Sequence, residues 1–150
     1  VAIEYGAEVP FIRPAELSDD FSGTHEVIGH AVEWLGNDGK AIDYVCCLYA
    51  TAPLIQISDV IKGFNLIKTG KWKSVIAATK FSYPIFRSFE KLPNGGLRMF
   101  YPEYYSSRSQ DLPEAYHDAG QFYWASAQVW KDKPNGFSEN STIVELPNYL

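Results

Sequence analysis

Tyr44-Val-Cys-Cys-Leu-Tyr49 and Ser74-Val-Ile-Ala-Ala78 are two unbroken apolar runs of strand length, and between them Ile57, Val60, Ile61 and Phe64 recur at helical spacing. Continuous apolar runs are the pattern of strands covered on both faces. Strand, helix and strand with short links predict a parallel βαβ unit. Upstream, Val27, Ile28, Ala31, Trp34 and Leu35 predict a helix over residues 24–35, with Ser22 or Thr24 as N-cap. Residues 1–6 read as the last turn of a helix closed by Gly6, and residues 8–12 as a short extended run. Downstream, Asn94-Gly-Gly96 signals a hairpin between residues 86–89 and 97–101. Residues 120–124 and 141–145 read as strands and 127–131 as a short helix. The expectation is one α/β domain over residues 1–150, with an antiparallel excursion in its middle.

Composition narrows the function classes. The 150 residues are 46 % apolar and 21 % charged, with four Trp, ten Tyr and nine Phe, enough for a packed core. A net charge of −5 with no dense basic cluster argues against a polyanionic partner such as nucleic acid. A small phosphate ligand is still allowed, because a few backbone N–H groups and basic side chains suffice to hold one. No apolar run approaches the roughly 18 residues that a membrane span needs, and none resembles a secretory leader. The only cysteines, Cys46 and Cys47, are adjacent. On a strand they face opposite ways, which fits two inert thiols in a reducing cytoplasm better than a disulfide.

His25-Glu-Val-Ile-Gly-His30 invites a zinc-protease reading, but that site needs histidines four residues apart. Five apart they stand roughly 140° apart around a helix, so they read as helix-surface histidines. No nucleophile elbow, P-loop or dinucleotide fingerprint is present. What remains is positional, because ligands of open α/β sheets bind beyond the carboxyl ends of the parallel strands. Tyr49 and Thr51 follow the first strand there, and Lys80 and Arg87 follow the second. Arg108, Gln110, His117, Asp118 and Gln121 gather between apolar runs in a pattern suited to a polyhydroxylated acid. Ordinary turn and loop polarity accounts for the same residues.

At these segments the sequence resembles the acylneuraminate cytidylyltransferase family. Arg13-Pro-Ala-Glu-Leu17 followed by Ser22-Gly-Thr24 is similar to its RPxEL segment and the helix start after it. Tyr49-Ala-Thr-Ala-Pro-Leu54 is similar to its QPTSPL turn, and Arg108-Ser-Gln-Asp-Leu-Pro113 with residues 120–123 to its RQDLP…NGxxY stretch. The likeness runs along the whole chain. Cys46-Cys-Leu-Tyr-Ala-Thr-Ala-Pro53, Tyr83-Pro-Ile-Phe-Arg87 and Tyr116-His-Asp-Ala-Gly-Gln-Phe-Tyr-Trp124 look like the branch whose sugar is pseudaminic acid. In keeping with that branch, Tyr49 stands where the neuraminate enzymes have a sugar-contacting Gln, and Ala119 where an Asn precedes the glycine.

The resemblance implies a three-layer, Rossmann-like nucleotide-diphospho-sugar transferase fold with a central, mostly parallel sheet. It implies transfer of a cytidylyl group from CTP to the anomeric hydroxyl of the nonulosonic acid, with Mg²⁺ on the phosphates. Position by position, Arg13, Ser22 and Thr24 match the nucleotide side. Tyr49, Thr51, Arg87, Arg108, Gln110, His117, Asp118, Gln121 and Tyr123 match the sugar side, Arg108 one place from the usual arginine. Residues 87–113 match a dimerisation excursion, implying a cytoplasmic homodimer. The family's glycine-rich triphosphate loop and its metal-binding aspartates fall outside residues 1–150. The expectation is therefore a chain cut at both ends, without its own metal ligands and nearly inert alone. An N-acetylneuraminate enzyme is the alternative reading, and a non-catalytic sugar-binding or dimerisation fragment is the one from a different class.

Overall fold

The computed structural model describes residues 1–132 and 137–148. Val75, Ile76, Ala77 and Ala78 offer no polar face to water, and all four are buried at the centre of strand β2 (Ser74–Lys80). With β1 (Tyr44–Leu48), β5 (Tyr116–Ser126) and β6 (Ser141–Leu146), β2 forms a four-stranded sheet of order β1-β5-β2-β6. β3 (Phe89–Lys91) and β4 (Leu97–Met99) form a separate two-stranded sheet around the Asn94-Gly-Gly96 turn, where Gly96 N–H donates to Asn94 Oδ1 at 3.0 Å.

The expected mostly parallel sheet is corrected. β5 runs antiparallel to both β1 and β2, and only β2 and β6 pair in parallel, so the sheet is mixed. β1 and β2 do point the same way, as a helical crossover requires, but β5 lies between them and they are not neighbours. The crossover helix fixes their relative direction and leaves room for one strand, which a later part of the chain fills. Coverage on both faces, expected for β1 and β2 alike, holds for β2. β1 is ladder-bonded only to β5 among the described residues, and Leu48 at its end is 56 % exposed.

Alternation along the strands sorts the core into two faces. Val75 and Ala77 of β2 and Phe122 of β5 pack with Ile67 from helix α2 (Ile57–Lys68), with Tyr44, Cys46 and Trp124 beside them. On the other face Cys47 and Ala125 pack with Val32 of α1 (Thr24–Asn37) and Trp130 of α3 (Ala127–Asp132). Helices thus lie against both faces, an α/β arrangement compatible with the transferase fold that the resemblance implies. Two indoles tie the layers together. Trp124 Nε1–H donates to Val60 O of α2 at 3.0 Å, and Trp130 Nε1–H donates to Val45 O of β1 at 3.2 Å. Cys46 and Cys47 are free and on opposite faces, as the strand reading predicts. Burial pushes both thiols up, Cys46 to about 12.

α2 approaches β5 so closely that a Cβ on Gly63 would sit 2.6 Å from Trp124 Cδ1 and 3.0 Å from Phe122 Cε2. In α1 the N-cap is Gly23, not Ser22 or Thr24 as expected. Glu26 Oε2 accepts from the Gly23 N–H at 3.2 Å, so the cap is supplied from N3 and the Thr24 hydroxyl is left for another partner.

Candidate active site

β5 carries the feature that builds the site. Ile76 faces Tyr123, yet Ala78 faces Asp118, so two steps on β2 correspond to five on β5. The three extra residues form a bulge, and Gly120 within it has φ +61°, the left-handed region that a residue without Cβ enters at least cost. The bulge turns the Asp118 carboxylate back along its own strand. Asp118 Oδ1 accepts the Gly120 N–H at 2.7 Å, and Tyr123 O–H donates to Oδ1 and Oδ2 at 2.8 and 2.7 Å. Burial and the Asp118 carboxylate push the Tyr123 phenol far above its ordinary range, which keeps it protonated and a donor.

Tyr49, just past β1, donates its backbone N–H to Gln121 O at 3.0 Å in a ladder-like bond. Its ring lies 5.1 Å from that of Tyr123, and its hydroxyl meets Thr24 Oγ1 at 2.8 Å. Thr24 from the start of α1, Tyr49 from the end of β1, and Asp118 and Tyr123 from β5 therefore form one cluster. It unites a residue matched to the nucleotide side with three matched to the sugar side. All four line a cavity of about 430 Å³ whose apolar wall includes Ile76, Ala125, Val129 and Trp130 and whose far end holds Ser74, Ser138 and Ser141. A polar cavity of about 390 Å³ opens on the other side of Asp118, with Thr79, Lys80, Ser82 and His117 in its wall. Lys80 is ion-paired to Glu114, which also accepts from Tyr116 O–H at 3.1 Å. The pair holds the Lys80 ammonium above and the Glu114 carboxyl below their usual ranges.

The other predicted residues are distributed differently. Gln121 is buried, at 7 % exposure, and His117 stacks edge-on against Phe81 at 4.7 Å. Ser22 belongs to a loop knot: its hydroxyl bonds Asp19 Oδ1 at 2.8 Å and its N–H the same oxygen at 2.7 Å, which lowers the Asp19 carboxyl. Arg13, Thr51, Arg87 and Gln110 make no side-chain hydrogen bond or ion pair among the described residues. Arg108 makes only a 3.8 Å contact to Asp111. None of these five joins the cluster.

The histidine reading needs correction. His25 and His30 are half-buried, each with a buried Nδ1 that has no hydrogen-bond partner among the described residues. His25 lies 4.8 Å from the Trp130 ring and lines the larger cavity, while His30 lies 5.3 Å from Phe11. Helical spacing alone could not reveal this, because α3 and the residue 11 loop that cover them come from distant sequence. The resemblance implies Mg²⁺ on the phosphates. Among the described residues no three His, Cys, Asp or Glu side chains come together to hold a metal, and no step below is routed through one. Nor is any described helix long and apolar enough to cross a membrane.

No protein-family model matches the chain. Similar curated proteins do. A pseudaminic acid cytidylyltransferase of Campylobacter jejuni serotype O:2 is 41 % identical over 150 residues, all of this chain and 65 % of that protein. Its counterpart from serotype O:23/36 is 40 % identical over the same extent. A Helicobacter pylori protein, named both as a pseudaminic acid cytidylyltransferase and as a UDP-2,4-diacetamido-2,4,6-trideoxy-beta-L-altropyranose hydrolase, is 37 % identical over 147 residues, 97 % of this chain and 28 % of its own length. The chain thus spans about 65 % of the length of the Campylobacter relatives. From its first residue to its last it is a homologue of the pseudaminic acid cytidylyltransferases.

Proposed function

We propose that the protein carrying this chain transfers the cytidylyl group of CTP to the anomeric hydroxyl of pseudaminic acid. The observation that carries the reading is 41 % identity along the entire chain to an enzyme of that name. In this reaction the anomeric oxygen forms a bond to the α-phosphorus, the bond from that phosphorus to the bridging oxygen breaks, and pyrophosphate leaves. The chain's part is placement. Thr24 stands on the nucleotide side, and Tyr49, His117, Asp118, Gln121 and Tyr123 stand on the sugar side, so the two substrates meet at the end of β1. A divalent metal, Mg²⁺ by resemblance, neutralises the phosphates when bound. CTP as substrate places the work in the cytoplasm.

We read residues 87–113 as the dimerisation excursion of a homodimer. Phe89, Phe100 and Tyr105 support this, since each exposes more than half of its surface there. The experiment is a product assay with CTP, Mg²⁺ and either pseudaminic acid or N-acetylneuraminic acid. CMP-pseudaminic acid as the main product supports the reading. Equal turnover of the second sugar moves it to the sister enzyme, and binding without turnover moves it to a non-catalytic module.

A further inference from the structure

Asp118 stands in the wall of both the larger, mostly apolar cavity and the smaller polar one. In the ladder Ala78 faces Asp118 and Ile76 faces Tyr123, so these side chains share one face of the sheet. It is the face that packs against α1 and α3. The Asp118 carboxylate is held from within its own strand. Oδ1 accepts the Gly120 N–H at 2.7 Å and the Tyr123 O–H at 2.8 Å, while Oδ2 accepts only that hydroxyl, at 2.7 Å. Each carboxylate oxygen offers two lone pairs, so Oδ1 is filled and Oδ2 keeps one acceptor direction open among the described residues. No ion pair among the described residues includes Asp118. Lys80, the cation in the polar cavity, is paired with Glu114 instead. A fixed carboxylate without a counter-cation accepts a neutral donor and repels an anion.

Beside this acceptor the wall of the larger cavity turns apolar, with Ile76, Ala125, Val129 and Trp130. One N–H acceptor next to an apolar chamber is the outline of a secondary amide. We propose that Asp118 is a specificity-determining residue of the sugar site: it accepts the N–H of an acylamino substituent whose acyl group enters the larger cavity. The inference rests on the cytidylyl reading and deepens it, because pseudaminic acid carries acylamino groups. The same negative charge keeps the carboxylate of the sugar away from this wall. The acylamino flank is therefore turned toward β5, and the acid end away from it. Gly120 N–H and Tyr123 O–H fix the carboxylate for that task.

The test uses the full-length protein carrying this chain, with CTP present and divalent metal withheld so that no turnover occurs. Dissociation constants are measured for pseudaminic acid and for its analogue with hydroxyls in place of the acylamino groups. The wild type should prefer the acylamino sugar. In Asp118→Asn that preference should fall about 3- to 10-fold, the difference between a charged and a neutral acceptor. The Asn oxygen can still accept from Gly120 and Tyr123, so the bulge is kept. Asp118→Ala should lower the preference further, and CTP affinity should stay within about 2-fold in both variants. Equal losses for the two sugars and for CTP would show a merely structural role and overturn the proposal. On the ligand side, N-propionyl in place of N-acetyl should bind the wild type as tightly or up to about 4-fold tighter, since the apolar wall gains contact.

Product formation, with Mg²⁺ restored, separates this proposal from the cytidylyl reading. If the sugar preferences follow this pattern and no CMP-sugar forms, the acylamino site stands and the cytidylyl reading fails. If CMP-sugar forms while the Asp118 variants leave the preference unchanged, or the N-propionyl sugar binds more than about 10-fold more weakly, the acylamino site fails and the cytidylyl reading stands. A wild type that binds neither sugar would overturn both.

Discussion

In the sheet body Phe122 is fully buried, and Trp124 and Trp130 each close a hydrogen bond between a helix and a strand; across residues 81–115 no residue is buried, and Phe89, Phe100 and Tyr105 face outward. Both regions are rich in aromatic residues. In the body their rings sit between layers, where the area removed from water stabilises the fold. In the excursion, Phe86 leans on Tyr101 and Tyr104 at 5.5 and 5.2 Å, and the two short strands carry an exposed Arg98–Glu90 ion pair. Apolar surface left outside in this way contributes little to folding of one chain and is available to a second.

The sharpest break of this comparison is Phe122→Ala, expected to cost about 3–5 kcal/mol because it empties the centre of the α2 face. Chemical unfolding measures it, and a cost under about 1 kcal/mol would mean the body is not the seat of stability. Next comes Gly63→Ala, which drives a methyl into Trp124 and Phe122 and should cost about 1–3 kcal/mol through overpacking. Smallest for folding is Phe100→Asp, expected within about 0.5 kcal/mol of wild type. Its effect should appear instead in light scattering, as a shift from dimer to monomer. A large loss of stability, or unchanged association, would erase the contrast between the two regions.

Much of the fold is legible in the sequence where the information is local. The period of α1 and α2, the apolar runs of β1 and β2, and the Asn94-Gly-Gly96 turn each depend on neighbours in the chain, and the structure has these elements where the spacing puts them. The insertion of β5 between β1 and β2 depends on which distant strand fills a gap, and no local pattern encodes that. The start of β5 was hidden because Tyr116, His117 and Asp118 are exposed and polar, and a three-residue bulge breaks the alternation. The site divides the same way. Tyr49 could be picked out by its position after a strand, and Asp118 by the grouping of polar residues between apolar runs. The bond from Thr24 to Tyr49 crosses 25 residues and required that Gly23, not Thr24, cap the helix.

The central claim, that CTP and the acidic sugar meet where Thr24, Tyr49, Asp118 and Tyr123 join, is tested most directly by NMR shift mapping with CTP added first and pseudaminic acid second. The account predicts that CTP moves the signals of Thr24 and Tyr49, and that the sugar then moves Tyr49, His117, Asp118 and Tyr123. Ser74, Ser138 and Ser141, at the far end of the same cavity, should stay in place. Perturbation centred on those serines, with the tyrosines unmoved, would contradict it.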